Sequence, residues 1–128
     1  MTVVACAVIR RDGKVLLARR APGKREAGLW EFPGGKAEPG ESTAACLERE
    51  LQEELGLTAS VGRELARSVH RYAHGEIELV AHECAIGAAE VRASTDHDRW
   101  EWVEPSRLKD YALAPADVPI AEHLCIDD

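Results

Sequence analysis

No apolar run in this 128-residue chain approaches the roughly 20 residues needed to span a bilayer, and the opening Met1–Ile9 is interrupted at once by Arg10-Arg11-Asp12. Neither a transmembrane helix nor a signal peptide is read, so no membrane partner is expected. The four cysteines, Cys6, Cys46, Cys84 and Cys125, form no CxxC pair, which argues against a zinc knuckle or a thioredoxin-type motif. They read as reduced, mostly buried small side chains, with the cytoplasm as the expected compartment. Basic residues are in deficit, 16 against 23 acidic for a net charge of −7, which opposes binding of long nucleic acid. There is no internal repeat. The chain is nevertheless 45% hydrophobic and 30% charged, enough to build a core and solvate its surface, and its length fits one domain over residues 1–128.

Val3–Ile9 and Val15–Ala18 flank Arg11-Asp12-Gly13-Lys14, whose Asp-Gly supplies the positive φ angles of a tight turn, so a β-hairpin is predicted. From Ala21 to Gly40 the composition shifts to Gly and Pro and predicts an irregular loop, with Leu29-Trp30-Glu31-Phe32 packed at its centre. Ser42–Leu55 has no Gly or Pro, starts behind a capping Ser and stops at Gly56, the pattern of a helix. Ser68–Tyr72 and Ile77–Ala85 predict a second hairpin around His74-Gly75, and Trp100–Val103 a further strand. Pro105–Leu108 reads as one helical turn, and Asp117–Ile126 as a short terminal helix with Pro119 in its first turn. Strands and helices mix without a repeating βα unit, which favours an α+β sandwich.

On a helical wheel Ala44, Leu47, Leu51 and Leu55 form the core-facing stripe, and the adjacent arc carries Glu50, Glu53 and Glu54. These three are related by i,i+3 and i,i+4 spacings, and each like-charged pair costs the helix about 0.2–0.5 kcal/mol. A cation offsets that repulsion, and carboxylate oxygens suit Mg²⁺ or Mn²⁺. An acidic run on its own is usually a solvated face. The flanks change the reading: Gly35, five residues, Glu41, seven residues, then Arg49-Glu50-Leu51-Gln52-Glu53-Glu54-Leu55-Gly56-Leu57. This pattern resembles the Nudix box, with every fixed position occupied.

The resemblance implies a Nudix-type α/β/α sandwich with a mixed central sheet and an enzyme that hydrolyses a diphosphate bond linked to a nucleoside. Carried over by position, Glu50, Glu53, Glu54 and the Gly34 carbonyl are the metal ligands, with Arg49 and Glu41 supporting them. Arg49, Glu50, Glu53 and Asp96 make the catalytic set. Asp96, in a polar loop before Trp100-Glu101-Trp102, stands where relatives place an extra carboxylate, as an outer ligand or an aid to deprotonating water. The alternative for Asp96 is a turn-favouring loop residue. The general base is left open among Glu50, Glu53 and Asp96.

Leu29-Trp30-Glu31-Phe32-Pro33-Gly34-Gly35-Lys36 and Leu113-Ala114-Pro115-Ala116-Asp117-Val118-Pro119 are similar to the MutT branch, and especially to bacterial CTP pyrophosphohydrolases. That similarity implies hydrolysis of a (d)NTP to (d)NMP and pyrophosphate, with water attacking the β-phosphorus. It makes Asp117 a base-reading residue, whose other role is to cap the last helix. An ionised Asp117 accepts from the amino group of cytosine, while a protonated one also donates to an oxidised guanine, so cytosine nucleotides and 8-oxo-dGTP both remain open. Arg20 is the expected basic contact to the nucleotide. Trp30 and Phe32 are candidates for the nucleoside pocket or else core anchors. His97 and the other histidines are assigned no chemistry. The absence of Pro between Pro39 and Pro105 removes the ADP-ribose class. A diadenosine-polyphosphate hydrolase, on the strength of Tyr72, and a non-catalytic nucleotide-binding regulatory module are the competing readings. The oligomer is left as monomer or homodimer.

Overall fold

Alternation along the first strand sets the architecture. β1 (Thr2–Arg11) turns Ala5, Ala7 and Ile9 to one face and Cys6 and Val8 to the other, and all five are buried. A strand apolar on both sides needs a layer on each. The structure, a computed structural model describing residues 1–91 and 96–127, supplies those layers with two helices, α1 (Thr43–Leu55) and α2 (Val118–Asp127). Leu47, Leu51 and Leu55 of α1 pack on the Ala5/Ala7/Ile9 face. Ile120, Ala121 and Leu124 of α2 pack on the Cys6/Val8 face. The result is an α+β sandwich around a mixed sheet.

β1 runs through Asp12 (φ 51°) and Gly13 (φ 77°) into β2 (Lys14–Arg20), the turn that Asp-Gly predicted. The other strands are β3 (Trp30–Glu31), β4 (Gly34–Lys36), β5 (Ser60–Tyr72), β6 (Gly75–Ala85) and β7 (His97–Val103). They pair in the order β3-β2-β1-β6-β5, with β4 on β1 and β7 on β2. β1 and β6 are parallel, while the β1–β2, β1–β4, β2–β3, β2–β7 and β5–β6 pairs are antiparallel.

Several boundaries differ from the sequence reading. The Ala21–Gly40 stretch is not wholly irregular, because β3 and β4 pair within it. β5 begins eight residues before the predicted Ser68, at Ser60. Its early half is mostly exposed and shifts register between Val61 and Ala66, so it lacks the apolar alternation that marks a strand. β7 starts at His97 rather than Trp100. The turn at Pro105–Asp110 is a 3-10 helix, and a second one, Pro115–Asp117, takes Asp117 out of the terminal helix. On α1, Ala44 is only half-buried and Cys46 completes the buried stripe.

α1 is fixed at both ends. Ser42 Oγ accepts from Ala45 N–H at 3.1 Å, and Gly56 in the left-handed region (φ 63°) lets the chain turn back, with Leu57 N–H donating to Leu51 O. Near the start of α1, Thr43 Oγ1 lies 2.8 Å from His82 Nε2, and His82 Nδ1 lies 3.0 Å from Gly62 O. His82, assigned no chemistry from sequence, thus ties the helix across β6 to β5.

Candidate active site

Arg49 is the hub of the acidic helix. Its guanidinium donates to Glu41 through Nε at 2.8 Å and Nη2 at 2.9 Å. It also donates to Glu50 Oε1 at 2.9 Å and to Glu53 Oε2 at 3.4 Å, both through Nη1. Nη2 reaches the Lys36 carbonyl at 3.2 Å, which fastens α1 to β4. These bonds are charge-assisted and directional. The hydrogen bonds from Arg49 and from the Glu38 N–H hold the Glu41 carboxyl down at about 2, and those from Glu41 and Glu50 push the Arg49 guanidinium still higher. Arg49 and Glu41 are thus joined to each other and, through Arg49, to the helix carboxylates Glu50 and Glu53.

The glycines beside the helix permit close approach. A Cβ on Gly35 would lie 2.3 Å from Glu50 Cδ, so Glu50 can rest against β4 only because that position is glycine. Ala7 N–H donates to Pro33 O and Ala37 N–H to Val3 O. In an antiparallel ladder the Gly34–Cys6 and Lys36–Val4 pairs then fall at the non-hydrogen-bonded phase. The Gly34 carbonyl consequently faces away from β1, in phase with the Lys36 carbonyl that Arg49 takes.

Glu54 is half-buried and hydrogen-bonded to both Asp96 and Glu50. Burial first, and then these two carboxyls, push it up to about 8. Asp96 is raised by burial, but hydrogen bonds from Lys24 and Glu54 outweigh that and hold it low, with Lys24 Nζ 3.1 Å from Oδ1. The two shifts run in opposite directions, as expected of neighbouring carboxyls that repel when both are ionised. An all-oxygen donor set with that mutual repulsion fits a hard divalent cation. No three His, Cys, Asp or Glu among the described residues close a ligand cage unaided. Glu53 is the most exposed of the three helix carboxylates, its side chain at 59%.

A cavity of about 270 Å³ adjoins this cluster; its lining includes Gly34, Gly35 and Lys36 as well as Arg20, Glu31, Phe32, Tyr72 and Asp117. Asp117 is buried, and its Oδ2 accepts from Phe32 N–H at 2.9 Å, so its carboxyl spans from the 3-10 turn to the residue that follows β3. Burial first, then the nearby Glu31 charge, raise it well above the usual carboxylate range, which favours the neutral form, able to donate as well as accept. Arg20 lines the same cavity, donates to the Arg25 carbonyl and pairs with Glu31 at 3.5 Å. Phe32 is buried in the core and also lines the cavity. Trp30 does not line it: its ring packs edge-on against Tyr111 at 5.2 Å, and its backbone bonds Ala112 and Ala114, anchoring the segment that carries Asp117.

Two residues here escaped the sequence reading. Glu31 lies between the flagged aromatics and holds His97 Nε2 at 2.8 Å; its signal was a lone carboxylate within Trp30-Glu31-Phe32. Lys24 gave none, because only the fold brings the Pro22-Gly23 turn beside Asp96, where Ala21 N–H donates to the Asp96 carbonyl.

The model of the NUDIX domain matches residues 4–123. The CTP pyrophosphohydrolase of Escherichia coli (strain K12) is 43% identical over 122 residues, covering 95% of this chain and 90% of the relative. A Mycobacterium tuberculosis (strain CDC 1551 / Oshkosh) protein with the provisional name 8-oxo-dGTP diphosphatase 2 is 37% identical over 122 residues, 90% of this chain and 82% of its own length. The crystal structure of the MutT protein from Methanosarcina mazei Go1 superposes with a TM-score of 0.89 at 27% identity, covering 98% of this chain and 94% of that one. With an arginine-centred carboxylate helix beside a cavity lined by Arg20, Phe32 and Asp117, the chain belongs to the NUDIX family as a MutT-like hydrolase, an enzyme of the nucleotide diphosphatase kind.

Proposed function

We propose that this enzyme is a Mg²⁺-dependent nucleoside triphosphate pyrophosphohydrolase that converts a (d)NTP and water to (d)NMP and pyrophosphate, with cytosine nucleotides or 8-oxo-dGTP as substrates in nucleotide-pool sanitation. The observation that carries this reading is the Glu50–Glu54–Asp96 carboxyl cluster beside the cavity that holds Asp117. Glu50, Glu53, Glu54 and the Gly34 carbonyl would hold the divalent ions, Mg²⁺ or Mn²⁺. Such ions, when bound, neutralise polyphosphate charge and acidify a coordinated water.

The chain's own residues do the rest. Arg49 holds Glu50 and Glu53 in one orientation, and Asp96 stands beside Glu54 as a proton acceptor near the reacting centre. Water adds to the β-phosphorus and the α–β bridging bond breaks, its oxygen leaving with the nucleoside monophosphate. Arg20 contacts the nucleotide, and Phe32 contributes an apolar wall. Asp117 reads the base edge: as a neutral acid it donates to cytosine N3 or a guanine carbonyl, with Glu31 placed to accept from an amino group. Residues 1–128 work as a single domain in this reading, and the four free cysteines agree with a reducing cytoplasm.

The test is incubation with Mg²⁺ and a panel of dCTP, CTP, 5-methyl-dCTP, dGTP, 8-oxo-dGTP and diadenosine polyphosphates, with products resolved by chromatography. Monophosphate plus pyrophosphate from a cytosine or 8-oxo-guanine triphosphate is the expected result. In H₂¹⁸O the label should enter pyrophosphate alone. Turnover of none of these by folded, metal-loaded protein removes the proposal and favours a nucleotide-binding module.

A further inference from the structure

Ala116, next to Asp117, has both of its backbone polar groups taken by side chains from one strand. Ser68 Oγ donates to the Ala116 carbonyl at 2.6 Å, and the Ala116 N–H donates to the Tyr72 hydroxyl at 3.0 Å. Ser68 and Ala116 are buried, so neither bond exchanges freely with water. Ser68 and Tyr72 are four residues apart on β5 and therefore on the same face of the strand. On the other side of the turn, Ala114 N–H is held by the Trp30 carbonyl and Asp117 N–H by the Ala114 carbonyl. Among the described residues, the side chains that bond the backbone of this segment are thus the two hydroxyls of β5, beside the Asp117 carboxyl's own bond to Phe32 N–H.

We infer that Ser68 and Tyr72 are positioning residues for base selection, their hydroxyls fixing the Pro115–Asp117 turn so that Asp117 meets the base edge in one orientation. The inference rests on the reading of Asp117 given above. Rejection of a wrong base depends on a polar group that cannot re-aim to suit it. Among the described residues, the Asp117 side chain bonds the fold at Phe32 N–H. Packing confines the buried carboxyl, and the backbone that carries it sets where that carboxyl sits in the cavity. Tyr72 also lines the cavity, with its ring stacked on His74 at 5.2 Å and 17°. A base seated against that ring therefore rests on the same side chain that holds Ala116, so stacking and edge-reading share one support.

The experiment compares wild type, Ser68→Ala, Tyr72→Phe, Asp117→Ala and the double variant Ser68→Ala/Asp117→Ala on the full nucleotide panel, with Mn²⁺ affinity by calorimetry and melting temperature measured for each. Expected for Ser68→Ala and Tyr72→Phe is a fall of about tenfold in the kcat/KM ratio between preferred and rejected bases, carried by KM, with Mn²⁺ affinity unchanged. In the Asp117→Ala background the Ser68 substitution should alter the ratio no further. Ser68→Thr, which keeps the hydroxyl, should restore discrimination. A melting temperature that falls while every nucleotide loses activity equally overturns the inference, since that is what mere structural support produces. Should Ser68→Ala fail to fold, Tyr72→Phe, lacking one oxygen, decides alone. If Asp117→Ala collapses the ratio and the hydroxyl variants do not, only the clamp falls; if wild type turns over no nucleotide, both readings fall.

Discussion

Arg49 grips Glu41 through a two-bond fork, Nε to Oε2 at 2.8 Å and Nη2 to Oε1 at 2.9 Å, while its third nitrogen aims Glu50 and Glu53. Only a planar guanidinium makes these contacts together, so lysine is no substitute. Arg49→Lys should lower kcat by about 10–100-fold, the usual effect of removing an orienting partner of metal ligands. Circular dichroism should show the helix intact. A wild-type rate in steady-state assays would leave Arg49 a purely structural role.

Gly35→Ala tests the approach of Glu50 to β4. Gly35 has no positive φ, so alanine brings little backbone strain, but its Cβ would lie 2.3 Å from Glu50 Cδ and the carboxylate must move. Metal affinity and activity should fall about 10–100-fold with a small change in melting temperature. Titration with Mn²⁺ monitored by EPR measures the first, and unchanged affinity would show that Glu50 has room to spare.

The carboxyl cluster makes a signed pH prediction. Glu54 titrates near 8 in the folded protein against about 4.5 when unfolded, so its contribution to stability is fully present below pH 4.5 and is lost as pH rises to about 8. Asp117, also raised, acts in the same direction. Glu41, lowered to about 2, acts oppositely, its contribution disappearing as pH falls from 4.5 towards 2. Metal-free protein should therefore lose melting temperature between pH 5 and 8.5, and the increment on adding Mg²⁺ should grow over that range, because the cation displaces the Glu54 proton. Differential scanning calorimetry with and without Mg²⁺ measures both, and an increment independent of pH would remove Glu54 from the metal site.

Lys24 places an ammonium 3.1 Å from Asp96 Oδ1. Both partners are partly exposed, so the pair is weak and its removal a modest effect. Lys24→Met should tighten Mn²⁺ binding by up to about fivefold, since the metal no longer competes with an internal cation for Asp96. Isothermal titration calorimetry reads this directly; weaker binding would mean that Lys24 organises the cluster instead of competing for it.

Asp117→Ala should raise KM or change base preference while leaving Mn²⁺ affinity at the wild-type value. Kinetics unchanged across all bases would take Asp117 out of the pocket.

The box was legible because its chemistry is local: one helix carries Arg49, Glu50, Glu53 and Glu54, and a fixed spacing brings Glu41 and Gly35 to them. The sandwich was legible in outline for the same reason, through the Asp12-Gly13 turn and the Ser42–Gly56 caps. What sequence left out depends on tertiary contact. Residues 60–67 pair with β6 through an exposed, bulged edge that needs no apolar alternation. Trp30 stands beside a pocket residue in sequence, yet it faces Tyr111 and serves the pocket through its backbone. Asp117 fits an N-cap by position, but its carboxyl turns to Phe32, 85 residues away along the chain.

β1 divides the molecule into two halves, with the carboxylate helix seated on the Ala5/Ala7/Ile9 face and Asp117, Ala116 and Phe32 gathered towards the Cys6/Val8 face. Substitutions that reshape the base pocket can accumulate behind this partition without disturbing the hydrolytic apparatus in front of it. Divergence between cytosine-directed and oxidised-purine-directed descendants can then proceed largely by drift behind that strand, and an engineer wishing to redirect the enzyme would randomise that side first, sparing Gly34 and Gly35 where the two halves meet.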